Sequence, residues 1–236
     1  ADFVTLHVPL SYEGKHATSD LINSERLQQM TAQQCLINTS RGGVVDESAL
    51  LALNEECLPA LVIDTWVNEP LINRELLSRV ILGSAHIAGY SSDGKLRGTR
   101  MLRKQLLQLR FKEASRRVLG ESDEALFLQA EDIETVVDTE GYETFSSVES
   151  FKGEKRDAET VCAQLSTIIL QVCDPGIDFG LLKLSQQVDE AERAKAFDTL
   201  RKQYRNRREF SAYQIPEASG LLPETIRALK VLGFRD

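Results

Sequence analysis

The first 87 residues alternate short apolar runs with amphipathic stretches, and this alternation constrains the fold more than any other feature of the sequence. Each apolar run has the length of a buried strand; the runs are 2–9, 35–40, 60–66 and 80–87. The stretches between them have helical spacing; they are 22–30, 44–56 and 73–80. Helices between successive buried strands predict a parallel sheet with right-handed crossovers, and therefore an α/β fold.

Polar side chains follow three of these runs at the point where each strand should end. Arg41 follows the second run, Asp64 lies near the end of the third and Glu69 follows it, and His86 lies at the end of the fourth. Because sites in parallel sheets form beyond the carboxyl ends of the strands, we expect these residues to share one crevice.

Arg41, Glu69 and His86 form a chemically complementary set. Arg41 offers a planar fork for a carboxylate, and His86 can exchange a proton near neutral pH. Glu69 could hold the imidazole in one tautomer. The set suits oxidation of an alcohol beside a carboxylate. A solvated arginine, a loop glutamate and a structural histidine remain the alternative interpretation.

The second half of the chain reads differently. Residues 95–119 predict one long basic helix, and the acidic segment 120–150 has no functional interpretation. The later segments predict a smaller α+β domain: helices at 155–172, 186–206 and 222–234, a loop at 174–180 and a strand at 207–215. We therefore expect a domain boundary near residue 120.

Composition narrows the classes of protein. The net charge of −8 argues against a nucleic-acid partner, and no apolar run approaches the length of a membrane helix. Four cysteines without metal-ligand spacing predict reduced, buried thiols and no metal site. We also see no secretion signal, so we expect a cytoplasmic protein.

Three quoted motifs carry a resemblance to a known family. INTSRGGVVDESAL (37–50), DTWVNEP (64–70) and SAHIAGYSSDGKLRGT (84–99) resemble the D-2-hydroxyacid dehydrogenase superfamily. The resemblance implies that 1–90 is the C-terminal half of a Rossmann-type NAD-binding domain. It further implies that 91–119 is a connecting helix and that 120–236 is a dimerisation domain.

The resemblance also implies roles for individual residues. Its catalytic residues would be Arg41, Glu69 and His86. Its cofactor-binding residues would be Val8, Thr39, Ser40, Arg41, Asp64 and Gly89. Tyr90 would contact a small phosphorylated hydroxy-acid substrate, the cofactor would be NAD, and the protein would be a homodimer.

One departure from the family pattern is large. The sequence contains no GxGxxG phosphate loop, so we expect an N-terminal portion to be missing. Three functions stay open: oxidation of a phosphorylated four-carbon hydroxy acid, oxidation of another hydroxy acid such as phosphoglycerate, and a non-catalytic dimerising remnant.

Overall fold

The computed structural model describes residues 1–118, 157–204, 207–217 and 220–235. The chain divides into two compact units. The sheet unit comprises 1–90 and 173–205, and the helical unit comprises 91–172 and 206–236. The domains predicted from sequence placed all of 120–236 together, whereas the structure groups 173–205 with the sheet. The acidic segment 120–150 lies outside the described residues.

The sheet unit is built on four parallel strands in the order in which they occur along the chain. They are β1 (Phe3–Leu6), β2 (Cys35–Asn38), β3 (Ala60–Ile63) and β4 (Leu82–Gly83). This confirms the predicted parallel α/β sheet. The strands are shorter than the apolar runs because the polar residues at their carboxyl ends turn into loops.

Three short helices connect the strands, and each begins at a polar capping residue. They are α1 (Ser24–Gln28), α2 (Glu47–Ala52) and α3 (Arg74–Arg79). The side chains of Asn23, Asp46 and Asn73 each accept a hydrogen bond from a first-turn amide. Such caps satisfy amides that have no partner inside the helix, so they fix where each helix begins.

Two further helices pack in the sheet unit, α6 (Pro175–Ser185) and α7 (Glu190–Lys202). A Cβ atom at Gly83 would lie 3.0 Å from the Trp66 ring and 3.4 Å from Leu182. The missing side chain at Gly83 therefore lets Trp66 and α6 meet over β4.

The prediction of a loop over 174–180 is wrong. Asp174 accepts a hydrogen bond from the Gly176 amide at 2.8 Å, and Pro175 occupies the first helical position of α6. An N-cap residue followed by proline is a helix-start signal in the sequence, and it outweighs the loop signal of Pro175 and Gly176.

The helical unit contains α4 (Ser92–Val118), α5 (Ala158–Val172) and α8 (Pro223–Leu232). The predicted strand over 207–215 is wrong. Residues Phe210–Ala212 form a 3₁₀ turn, and the pairing that follows it is an isolated β-bridge between Gln214 and Arg235 rather than a strand. Phe210 stacks on Phe234 at 4.9 Å between ring centroids, so its apolar side chain serves packing between segments rather than a strand.

The prediction of buried cysteines is also wrong. Cys57 and Cys162 are exposed, Cys35 and Cys173 are half-buried, and all four are free thiols. In the described residues no single helix is long and apolar enough to cross a membrane, and α5 and α6 meet that test only when taken together.

Candidate functional site

The carboxyl edge of the sheet gathers every site residue predicted from the sequence. Val8 follows β1, and Thr39, Ser40 and Arg41 follow β2. Asp64 and Glu69 follow β3, and β4 leads to His86, Gly89 and Tyr90. Since the strands are parallel and in chain order, all of these residues lie at one edge. The direct contacts differ from residue to residue.

Glu69 and His86 form a hydrogen-bonded pair. Glu69 Oε2 lies 2.8 Å from His86 Nδ1, and the two side chains are 18% and 29% exposed. The contact fixes the imidazole orientation and favours the tautomer that carries its proton on Nδ1. No other group of the described residues bonds the imidazole, so Nε2 is left for a ligand. This is the geometry of a histidine prepared to accept a proton.

His86 lies in an uncommon backbone conformation that Asp64 holds in place. Its φ of 56° is in the left-handed region, which side chains other than glycine adopt rarely. The Asp64 carboxylate is 3% exposed and accepts three hydrogen bonds. They come from the Ser84 hydroxyl at 2.6 Å, the Ile87 amide at 2.7 Å and the Ala88 amide at 3.0 Å.

Asp64 therefore organises the loop that presents the histidine. The sequence predicted it as a cofactor contact, and that role stays a prediction. What the structure adds is a buried carboxylate whose oxygens are both engaged by the 84–88 segment.

The loop between β3 and α3 holds Glu69 through its own backbone. The Trp66 amide donates to Glu69 Oε1 at 2.8 Å, and the next amide, of Val67, donates to Glu47 Oε1 at 2.7 Å. Asn68 completes the turn with a φ of 61°. Two carboxylates thus bind consecutive amides of one loop.

Glu47 is a residue of this region that the sequence analysis missed as functional. Burial raises the pKa of its carboxyl to about 7; the Val67 amide opposes that rise, and the charge of Glu69 adds to it. The sequence did contain a signal for Glu47. Two consecutive acidic residues begin the helix, and only one of them, Asp46, is needed as the cap.

Arg41 is presented by a short polar turn after β2. Asn38 donates to the Arg41 carbonyl at 2.9 Å and accepts from the Ser40 hydroxyl and amide. The Arg41 guanidinium is exposed and donates to the Ser40 carbonyl at 2.6 Å. No carboxylate of the described residues pairs with it. A fork in this state can bind an external carboxylate bidentately.

The remaining predicted contacts surround this edge. Val8, Thr39 and Tyr90 are half-buried, and Gly89 is exposed, with no heavy atom within 4 Å of the position of an added Cβ. The Tyr90 ring meets Tyr204 edge-on at 6.4 Å, and the Arg201 guanidinium lies 5.8 Å from its centroid. Their roles toward a cofactor or substrate stay predictions.

Comparison with known families agrees with this geometry. Residues 1–88 match the NAD binding domain of the D-isomer specific 2-hydroxyacid dehydrogenases. Residues 153–232 match a family described as a domain of unknown function, DUF3410.

Comparison with curated proteins finds erythronate-4-phosphate dehydrogenases. The protein from Marinobacter nauticus is 36% identical over 99% of this chain and 55% of its own length. The protein from Psychromonas ingrahamii is 34% identical over 99% of this chain and 53% of its own length. The chain thus spans about half the length of these relatives.

Proposed function

The chain belongs to the D-isomer specific 2-hydroxyacid dehydrogenase family, and from that membership we propose that the protein catalyses NAD-dependent oxidation of 4-phospho-D-erythronate. The product would be 2-oxo-3-hydroxy-4-phosphobutanoate, in the biosynthesis of pyridoxal phosphate. The observation that carries the proposal is the Glu69–His86 pair, whose Nε2 has no partner in the described residues, at the sheet edge that also presents Arg41.

In the proposed reaction the residues of this chain have separate roles. Arg41 binds the substrate carboxylate through its guanidinium fork and fixes the neighbouring hydroxyl. His86 Nε2 takes the hydroxyl proton as the carbonyl forms, and Glu69 stabilises the resulting imidazolium through Nδ1. Asp64 keeps the imidazole in position by anchoring the 84–88 segment.

NAD, when bound, supplies the acceptor for the hydride that leaves the carbinol carbon. The residues present fit the nicotinamide half of such a cofactor. The sheet edge is lined by the half-buried Val8 and Thr39, and the exposed Gly89 leaves open space for a close approach. The sequence has no glycine-rich loop for the pyrophosphate, so this chain would hold one part of the cofactor.

Dimerisation through 120–236 and a cytoplasmic location belong to the same proposal. The four free thiols support a reducing compartment. Sedimentation equilibrium on this chain tests the dimer: we expect twice the mass of 26.4 kDa. A monomer at tens of micromolar protein would contradict it.

The single tryptophan offers the first test of cofactor binding. Trp66 is buried at the carboxyl end of β3, and its indole N–H donates to the Ser84 carbonyl at 2.9 Å. We expect energy transfer from Trp66 to NADH that saturates with added NADH. The variant Trp66→Phe must lose the signal, which separates transfer from absorption by free NADH.

The second function that the sequence leaves open is a non-catalytic dimerising protein. The two functions separate in a chain extended to the length of the relatives. Turnover with 4-phospho-D-erythronate that exceeds turnover with 3-phosphoglycerate supports the proposed reaction. Preference for phosphoglycerate would indicate the related dehydrogenase, and absence of turnover with every hydroxy acid would favour the non-catalytic protein.

A further inference from the structure

Glu47 is a carboxylate that no helix cap requires. It is the first residue of α2, but Asp46 caps that helix by accepting from the Ala49 amide at 3.0 Å. The Glu47 side chain instead reaches a loop 20 residues further along the chain, where it accepts the Val67 amide at 2.7 Å. Its single hydrogen-bond partner in the described residues is therefore the loop that carries Glu69.

That loop is confined from two sides. Glu47 binds one of its amides, and the backbone of Gly42 packs directly against its Trp66 carbonyl, where a Cβ atom at Gly42 would overlap it. Glu69 closes the loop on itself through the Trp66 amide at 2.8 Å. Any shift of the Val67 amide therefore moves the Glu69 carboxylate with respect to the imidazole of His86.

Other charged groups near α2 are directed elsewhere. On α3, Arg79 donates to the carbonyls of Leu51 and Leu53 and pairs with Glu75. On the α1 side, Arg26 donates to the Leu21 carbonyl. The Arg41 guanidinium donates to the Ser40 carbonyl. Among the described residues no cation neutralises Glu47, and its charged neighbour is Glu69.

We propose that Glu47 is a positioning residue for the Glu69–His86 pair: its carboxylate holds the loop that carries Glu69 and places a second negative charge beside that pair. The proposal rests on the proposed function in so far as the pair is the proton acceptor. Because burial raises the pKa of its carboxyl to about 7, Glu47 changes charge near neutral pH.

The test is a nuclear magnetic resonance titration of this chain without cofactor or substrate. The chain has three histidines, so the His86 imidazole signal is assigned by its loss in His86→Asn. The Val67 amide signal reports the Glu47 carboxylate directly. We compare the native chain with Glu47→Gln, which keeps an oxygen acceptor and removes the charge, and with Asp46→Asn as the matched control.

We expect the Val67 amide to titrate with a midpoint near pH 7 in the native chain and to stop titrating in Glu47→Gln. The His86 imidazole signal, compared at one high pH, should shift in Glu47→Gln, because Glu47 holds the loop whose Glu69 bonds Nδ1 of the imidazole. Asp46→Asn should move the Ala49 amide and leave His86 unchanged.

An unchanged His86 imidazole signal in Glu47→Gln would overturn the proposal, as would a Val67 amide that does not titrate in the native chain. If Glu47→Gln fails to fold, the titration of the Val67 amide in the native chain still tests the proposal. These readouts require neither NAD nor turnover, so a protein that binds no NADH could still pass them. The failure of the proposed function and the failure of this inference are therefore distinguishable.

Discussion

Among the described residues, each unit contains one pair of a carboxylate and a nitrogen-containing side chain in which both side chains are largely buried, and the two pairs differ in how completely they are bonded. In the sheet unit, Glu69 and His86 meet at 2.8 Å. In the helical unit, Asp93 and Arg208 meet at 3.0 Å, with side chains 18% and 17% exposed. Distance and burial are similar, so neither property explains what the pairs do.

The difference lies in the remaining polar atoms. The Asp93 carboxylate accepts both Nε and Nη2 of Arg208 and also the Glu209 amide at 2.8 Å. Burial acts to raise the pKa of Asp93, but these hydrogen bonds and the arginine charge outweigh it and hold the pKa below its usual value. Asp93 and Arg208 therefore tie two distant segments of the chain together as a permanent ion pair.

The Glu69–His86 pair is incompletely bonded by comparison. Within the described part of the chain Nε2 of the imidazole has no partner, and the backbone at His86 is in the left-handed region. A bonded carboxylate behind an imidazole with one open nitrogen is suited to proton exchange. The two pairs thus differ in the saturation of their polar atoms rather than in burial, and that difference is what the proposed proton exchange at His86 requires.

The largest expected effect comes from replacing the open base. His86→Asn tolerates the left-handed backbone and can still donate to Glu69, but it cannot exchange a proton. In a chain extended to the length of the relatives, we expect turnover to fall by about 10²–10⁴-fold. The free energy of unfolding of this chain, measured in urea, should change by less than about 1 kcal/mol. Native-like turnover would show that His86 is not the base.

Arg208→Ala should have its main effect on stability rather than on turnover, because it breaks an ion pair whose polar atoms are all bonded. It leaves the Asp93 carboxylate partly buried with one backbone donor, and we expect the unfolding free energy to fall by about 2–4 kcal/mol. Arg97→Ala is the matched control. Arg97 also pairs across the unit, with Glu209 at 2.8 Å, but it is 61% exposed. Its loss should therefore cost less than about 1 kcal/mol. If Arg208→Ala and Arg97→Ala lost the same unfolding free energy, the buried, fully bonded pair would be no more important for stability than the exposed pair.

Much of the sheet unit could be predicted from the sequence because its signals are local. Apolar runs and capping residues fix the strands and helices, and parallel strands necessarily bring Glu69 and His86 to one edge. Contacts between segments far apart in the chain carry no such signal. The grouping of 173–205 with the sheet depends on Leu182 meeting the Gly83 region, which no spacing reveals.

The sequence patterns named residues at the edge of the sheet, but they did not reveal the contacts that hold those residues in place. Asp64 was assigned to the cofactor from the resemblance, and its three hydrogen bonds to the 84–88 segment were not foreseen. Glu47 looked like an ordinary helix-start glutamate, because its target, the Val67 amide, is a backbone group without sequence identity. A sequence pattern does not show which backbone amide a side chain will bind.

The smallest expected effect concerns the pH dependence that Glu47 gives to the sheet unit. Its pKa in the folded chain, about 7, lies above its ordinary value of 4.5. Below pH 4.5 the carboxyl is protonated both folded and unfolded, so it costs nothing. Between pH 4.5 and about 7 the unfolded chain releases this proton while the folded chain still holds it, so stability falls over that range and stays at the lower value above it.

Glu47→Gln removes that cost and keeps an acceptor for the Val67 amide. We expect it to stabilise this chain at pH 8 by roughly 1–2 kcal/mol, less than the full pKa difference implies because the carboxyl is only partly buried. At pH 4 the gain should vanish. Urea unfolding at both pH values measures the difference, with Glu75→Gln on the exposed face of α3 as the control. A gain of equal size at both pH values would mean that the charge of Glu47 is not its source. In that case the charge of Glu47 would not destabilise the fold, and Glu47 would not differ in this respect from Asp93, whose carboxylate is fully bonded.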